Sequence, residues 1–347
     1  MNEKAVTDFN SEEIKGFVSE PFFDEKVILD KNLSWPKISI ITPSYNQAEF
    51  LEGTILSVLN QNYPNLEYII IDGGSTDGSI EIIKKYEKYI TYWVSESDKG
   101  QSDAINRGFK MARGEILAWL NSDDTYLPGA LGKAVEFFST HSYIGMVYGK
   151  TYFINERGDV IGNYPTESFN YNELARSNFF AQPAVFFRRE VYFAVGGLDL
   201  NLHYTMDYDL WVRIAKKHRV EYLPVFLSTY RLHMESKTVS DDIRSLRASE
   251  ECLRTVMKYY KWAPPNHVYG YCYHILKNKM PSFLVKSKPL ILFLSTFIFL
   301  VKYIYLNKGI KLEDIKMINP GNIRKLCKGW GFRNLLIRSS AEKHRKI

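Results

Sequence analysis

Four short apolar runs, separated by stretches of helical period, lie between Lys37 and Leu120 and constrain the fold more than any other feature of the chain. KISIITPSYN places Ile38, Ile40 and Ile41 in a buried strand that stops at Pro43, and EYIIIDGG runs uncharged from Tyr68 to Ile71. TYWVS is a third short strand and EILAWL a fourth. Between them, Phe50, Leu51, Ile55, Val58 and Leu59 recur at spacings of three and four. Ile80, Ile82, Ile83 and Tyr86 follow Asp77, a capping residue, and DAINRGFKMA reads as a third helix. Such alternation predicts an α/β chain with a mostly parallel, Rossmann-like sheet and helices on both faces. Sheets of this kind bind ligands beyond the carboxyl ends of their strands. Polar runs follow each strand here: PSYN, DGGSTDG, SESDKGQSD and NSDD.

From about Tyr143 the pattern changes. MVYGKTYFINERGDVIGNY predicts a hairpin turning at Asn155 to Asp159. AQPAVFFRREVYFAVGGLD predicts a strand, a helix from near Arg189 and a Gly-Gly stop. MDYDLWVRIAKKH is amphipathic, with Leu210, Trp211 and Ile214 along one side, and VEYLPVFLSTYRLH leads into the loop MESKTVSDD. The expected organisation is a polar lead-in over 1–36, a catalytic domain over 37–240 in two halves (37–142 and 143–240), and a basic helical tail over 241–347.

Charge separates the tail from the rest. Val256 to Ile347 carry 18 Lys and Arg against 3 Asp and Glu, whereas the first 255 residues carry 27 against 36. Two parts so unlike meet different partners. PLILFLSTFIFLV, Pro289 to Val301, is 13 uncharged residues, short of the roughly 20 that cross a bilayer. Lys286, Lys288, Lys308 and Lys311 flank it, and NIRKLCKGWGFRNLLIRSS interleaves Leu326, Trp330, Phe332, Leu335 and Leu336 with cations. Both features fit an interfacial segment on anionic lipid, the alternative being a core helix with a solvated tail. Nucleic acid is not an expected partner, since no nucleic-acid motif accompanies the charge. Three scattered cysteines with no disulfide or metal spacing, and a start without a secretory pattern, predict a cytoplasmic protein, peripheral on the inner face of the membrane.

Adjacent carboxylates at the mouth of a parallel sheet repel unless a cation offsets them. Asp and Asn oxygens are hard donors that suit Mg²⁺ or Mn²⁺, ions that take one or two protein carboxylates and complete their shell with water and phosphate. NSDD therefore points to a phosphate-bearing ligand and a metal acting as Lewis acid, though capping of a helix starting near Pro128 would also use Asp123 and Asp124. DGGSTDG does not have the spacing of a dinucleotide fingerprint. Asp72 reads instead as an acceptor for a base or ribose, with Gly73 and Gly74 permitting close approach, or as part of an ordinary strand-to-helix turn.

TPSYNQAEFLEGTILSVLNQNYPNLEYIIIDGGSTDGS and DKGQSDAINRGFKMARGEILAWLNSDD resemble the nucleotide-binding half of family 2 glycosyltransferases, which have the GT-A fold. AQPAVFFRREVYFAVGGLDLNLHYTMDYDLWVRIA and YRLHMESKTVS resemble the acceptor half, so the resemblance covers about 37–240. It implies inverting, metal-dependent transfer of a sugar from a nucleotide-diphosphate donor to a glycan or lipid-linked acceptor, in bacterial surface polysaccharide (O-antigen or capsule) synthesis. By position it implies Thr42, Pro43, Ser44 and Tyr45 around the nucleotide, Asp72 and Gly73 at the base, and Gln101, Asn121 and Ser122 beside the sugar nucleotide. Asn121-Ser122-Asp123 stands where the family has its DxD motif, which makes Asp123, Asp124 and His233 the expected metal residues. Asn121 replaces the usual first Asp, and Ile105 stands where an Arg is common. Met206-Asp207 matches the family's Glu-Asp only in its second residue, so Asp207 is the expected general base and Asp209 the alternative. Gln182 is expected at the acceptor and Lys237 at the diphosphate. Two other readings are a non-catalytic nucleotide-sugar-binding partner subunit, suggested by Asn121 and Met206, and a nucleotidyltransferase. The latter would need a Gly-rich triphosphate loop where this chain has TPSYNQAEF.

Overall fold

The uncharged runs form strands β1 (Ile38–Ser44), β2 (Leu66–Asp72), β3 (Tyr92–Ser95) and β4 (Ile116–Trp119), paired in parallel. Both faces of β1 and β2 are buried at every position, which is why their sequences do not alternate. The computed structural model that shows this describes residues 9–237, 242–285, 287–311 and 314. The expected lipid-facing run NIRKLCKGWGFRNLLIRSS lies outside the described residues.

The stretch read as a polar lead-in contains two helices, α1 (Ser11–Ser19) and α2 (Glu25–Asp30). A capping box starts α1, with Asn10 accepting from the Glu12 and Glu13 amides and Glu13 bonding back to the Asn10 amide. Ile14 and Phe17 give α1 its buried side. Helices α3 (Ala48–Leu59), α4 (Ser79–Tyr86) and α5 (Gln101–Met111) are the expected crossovers. Asp77 takes the Ser79 amide at the start of α4, and its other oxygen takes the Ala48 amide at the start of α3.

Beyond β4 come β5 (Thr125–Tyr126), α6 (Ala130–Thr140), and the hairpin β6 (Ile144–Ile154) and β7 (Val160–Asn163). Helix α7 (Tyr171–Leu174) precedes β8 (Val185–Arg188), α8 (Arg189–Val195), α9 (Met206–Lys217) and β9 (Arg219–Arg231). The strands make a nine-stranded sheet in the order β3-β2-β1-β4-β8-β6-β9-β5, with β7 on β6. The β6–β9 pair is parallel, whereas β8 runs antiparallel to β4 and β6. The fold is thus the α/β, GT-A-type architecture expected.

Contacts divide the chain into two units. The first holds the whole sheet, over Met1–Phe169, Phe179–Asn201 and Met206–Arg231. The second holds Asn170–Asn178, Leu202–Thr205 and Leu232–Ile347. Its described helices after α7 are α10 (Asp242–Tyr260), α11 (Pro265–Lys279), α12 (Ser282–Val285) and α13 (Lys288–Asn307). Leu253, Val268, Tyr269, Cys272, Phe299 and Tyr303 form its core. Asp314 accepts from the Trp262 indole at 2.9 Å and from the Tyr303 hydroxyl.

Candidate active site

The carboxyl ends of β1, β2 and β3 finish in register, with Ser44 beside Asp72 and Asp72 beside Ser95. Asp72 is fully buried and organises the turn after β2. One oxygen accepts from the Gly74 amide (3.1 Å), the Ser75 amide (2.8 Å) and the Ser95 hydroxyl (2.6 Å), and the other from the Ser75 hydroxyl (2.6 Å). Its carboxylate thus holds the turn after β2 in shape and ties it to the end of β3. At Gly73 an added Cβ would stand 3.0 Å from an Asp98 oxygen and 3.3 Å from the Tyr45 ring, so a side chain there would push on both. Tyr45 is exposed at the lip, while Thr42 is buried in β1 against the Tyr68 hydroxyl at 3.1 Å. Pro43 is buried beside it, and the buried Ser44 hydroxyl has no hydrogen-bond partner among the described residues.

After β4, three amide side chains join in a row. The Gln101 amide nitrogen donates to the Asn121 oxygen (2.8 Å), the Asn121 nitrogen to the Gln182 oxygen (3.0 Å), and the Gln182 nitrogen to the Trp119 carbonyl (2.7 Å). A carboxylate at 121 could accept from Gln101 but could not donate to Gln182. The asparagine that departs from the DxD pattern is therefore matched to its neighbours. Residue by residue, the row gathers Gln101, Asn121 and Gln182 from three parts of the sequence.

Ser122 is buried, and the next two residues differ sharply in environment. Asp123 is partly exposed, and its carbonyl accepts from the Arg231 guanidinium at 2.9 Å. Asp124 is buried, and accepts the Arg231 backbone amide at 2.9 Å. Burial, reinforced by the neighbouring Asp123 charge, holds the Asp124 carboxyl well above the usual carboxylate range. The Arg231 side chain also binds the Asn155 and Glu156 carbonyls, each at 3.0 Å, tying the NSDD turn to the hairpin. Arg231 escaped the sequence reading because it lies 107 residues from Asp124.

The donor set suits a hard divalent cation. Two adjacent carboxylates, one of them under-compensated in a buried position, are what such an ion would relieve. Among the described residues no group of three or more His, Cys, Asp or Glu is arranged to hold a metal. An ion bound by one or two carboxylates and completed by diphosphate and water is the type these residues fit.

Helix α9 begins at Met206, whose sulfur receives the Ser102 hydroxyl at 2.7 Å. Since Gln101 is bonded to Asn121, the start of α5 links Asn121 to the start of α9. Asp207 follows directly. It accepts its neighbour Tyr208's amide at 2.7 Å, and its charge adds to the burial that raises the Tyr164 hydroxyl pKa. Asp209, the alternative base, is buried and ion-paired to the Arg213 Nε at 2.7 Å. Arg213 also donates to the Val195 and Gly197 carbonyls, each at 2.7 Å. Ile105 is fully buried in α5, while Arg107, two residues on, pairs with Glu96. His233 and Lys237 belong to the second unit. There the buried His233 carbonyl accepts from Ser236, and the Lys237 ammonium approaches the His203 carbonyl at 3.4 Å.

The profile of Glycosyl transferase family 2 matches residues 39–195. A putative teichuronic acid biosynthesis glycosyltransferase of Bacillus subtilis, TuaG, is 31% identical over 206 residues, 57% of this chain and 79% of that one. An uncharacterized glycosyltransferase of Methanocaldococcus jannaschii is 28% identical over 208 residues, 57% of this chain and 71% of that one. Among solved structures, S. aureus TarS 1-349 in complex with UDP-GlcNAc matches with a TM-score of 0.57 at 16% identity, over 89% of this chain and 92% of that one. The mannosyltransferase PcManGT from Pyrobaculum calidifontis, in complex with GDP-Man and Mn²⁺, matches with a TM-score of 0.52 at 16% identity, over 86% and 93%.

Proposed function

The chain belongs to glycosyl transferase family 2, and from that premise we propose that it is an inverting, metal-dependent enzyme of surface polysaccharide synthesis, moving a sugar from a nucleoside diphosphate to a hydroxyl of a glycan or lipid-linked acceptor. TuaG, named for teichuronic acid biosynthesis, supports the pathway class, and the donor complexes of TarS and PcManGT support the donor class. The observation that supports the reading is the junction of Gln101, Asn121 and Gln182 with Met206 at the start of α9, the residue before Asp207.

In this reading Tyr45 and the Gly73 turn receive the nucleoside, with Asp72 keeping that turn in shape. Asp123 and Asp124 would hold Mg²⁺ or Mn²⁺, which when bound neutralises charge on the departing diphosphate. Asn121 and Gln182 orient the sugar and acceptor through the amide row. Asp207 takes the proton from the acceptor hydroxyl as its oxygen attacks the anomeric carbon from the side opposite the diphosphate, which requires inversion. Asp209 is left with the structural task of pairing Arg213. The basic C-terminal region would bring the enzyme to the cytoplasmic face of an anionic membrane, where lipid-linked acceptors reside.

A screen of UDP-, GDP- and TDP-sugars with Mn²⁺, reading nucleoside diphosphate release and the anomeric configuration of product, tests the proposal. Release with inversion on one donor is expected. Binding of a donor without turnover on any acceptor would favour the partner-subunit reading, and retention of configuration would overturn the role given to Asp207.

A further inference from the structure

Helix α13 carries two stripes of opposite character. Ile291, Ser295, Phe299 and Tyr303 are buried, the last two in the core of the second unit. Two positions after each stands an exposed apolar residue: Phe293 (70% exposed), Phe297 (62%), Val301 (59%) and Tyr305 (81%). Two residues correspond to about 200° around a helix, so the stripes lie on opposite sides. Leu300 and Ile304 widen the exposed one, giving an apolar surface whose large side chains face outward.

The charge of the sequence that carries the stripe points to the occupant. From Cys252 to Lys311 the sequence has ten Lys or Arg and no Asp or Glu. A second copy of this surface would bring cations against cations, whereas an anionic lipid leaflet offers hydrocarbon for the stripe and headgroups for the lysines.

The buried stripe decides the orientation. The helix Pro289–Asn307 has the length and mean hydropathy (2.0) of a membrane span. A lone span contacts lipid all round, however, and α13 has one side packed along its length. Tyr269 meets Phe299 with ring centroids 5.7 Å apart, and Phe299 meets Tyr303 at 5.6 Å. The Tyr303 hydroxyl is bonded to the buried Asp314. Helix α11, on which α13 packs, ends in Lys277 and Lys279. Crossing a bilayer would either strip α13 from this core or carry those lysines into hydrocarbon.

We infer that α13 lies flat in one leaflet of an anionic membrane, with Phe293, Phe297, Val301 and Tyr305 inserted among the lipids and the opposite stripe retained on the protein. The inference rests on the membrane-facing part of the proposed function and fixes its element and geometry. Flotation of the full chain with vesicles tests it without reference to turnover. Phosphatidylglycerol vesicles should bind the chain and phosphatidylcholine vesicles should not. Phe293→Ser with Phe297→Ser should lower partitioning at least about tenfold with the circular dichroism unchanged, as expected for inserted apolar groups. Ser287→Cys and Ile310→Cys, made with Cys252→Ser and Cys327→Ser, should both react with an impermeant maleimide added outside the vesicles. Protection of one end until detergent is added means a span and overturns the flat geometry while keeping the membrane reading. Failure to bind either vesicle, equal binding to both, or a lipid-free dimer abolished by the serine pair overturns the lipid assignment. None of these outcomes bears on sugar transfer, which the donor screen judges separately.

Discussion

The end of β4 and the start of α9 each carry two acids close together in sequence, and in each pair the later one is buried. At α9 the buried acid, Asp209, meets the Arg213 guanidinium directly, and that arginine also ties down the end of α8. At β4 the buried acid, Asp124, receives the Arg231 backbone amide, while the Arg231 side chain reaches three carbonyls. The first arrangement is a neutralised structural pair. In the second the guanidinium bonds carbonyls rather than the carboxylate, and burial with the Asp123 charge raises Asp124. Counting acids thus misleads about function; what matters is where each neighbouring cation points. One pair leaves Asp207 beside a finished ion pair, and the other is the pair to which the proposed function gives the metal.

The largest effect should follow from breaking the finished pair. Arg213→Met takes the guanidinium from the buried Asp209 carboxylate and two carbonyls, and should lower unfolding free energy by about 3–5 kcal/mol, read by denaturant titration. A change under about 1 kcal/mol would show that the Arg213 pair is not what holds this region. At the other pair, Asp123→Asn should weaken Mn²⁺-dependent binding of a nucleoside diphosphate by more than the about tenfold typical of losing an outer-shell partner, as calorimetric titration would report. Unchanged affinity would remove Asp123 from the cation site.

A smaller effect, of opposite sign to the first, is expected at Asp124. Because its carboxyl is raised on folding, the native chain holds that proton more firmly than the unfolded chain. Stability from this group is therefore lost as pH rises from the usual carboxylate range through the raised value. Asp124→Asn keeps an oxygen for the Arg231 amide, so it should raise the metal-free Tm at pH 7 and flatten its fall with pH. A lowered Tm would mean that the carboxylate is stabilising as it stands. The smallest effect should come from Asn121→Asp, which removes the donor to Gln182 and costs about 1 kcal/mol, with Mn²⁺ affinity rising. Restored stability with Gln182→Glu would contradict the donor and acceptor roles in the amide row.

What could be read beforehand followed local periodicity. β1, β2 and β4 announced themselves as uncharged runs, the Asn155 to Asp159 turn marked the hairpin, and the Leu210, Trp211 and Ile214 face marked α9. The lead-in hid α1 because only Ile14 and Phe17 of its nine residues are buried, too few to show a period. At the site, the polar runs were legible as positions, but the partners were not. Arg231 reaches Asp124 only because β9 ends against the turn after β4, and the amide row depends on side chains 20 and 61 residues apart. Asp72 was legible as an acceptor at the end of β2, but not the bonds it makes to Gly74, Ser75 and Ser95. Spacing shows which acids lie at the mouth of the sheet. It does not show which bonds they already make.

Asp207→Asn offers the most direct test of the whole account, measured with the donor and acceptor that the screen identifies. With Asp207 as base, calorimetric affinity for the nucleoside diphosphate and Mn²⁺ stays at the wild-type value while kcat falls about 10²–10⁴-fold. Wild-type kcat in this variant, with Asp209→Asn inactive yet folded, would contradict the assignment and move the chemistry to the acid paired with Arg213.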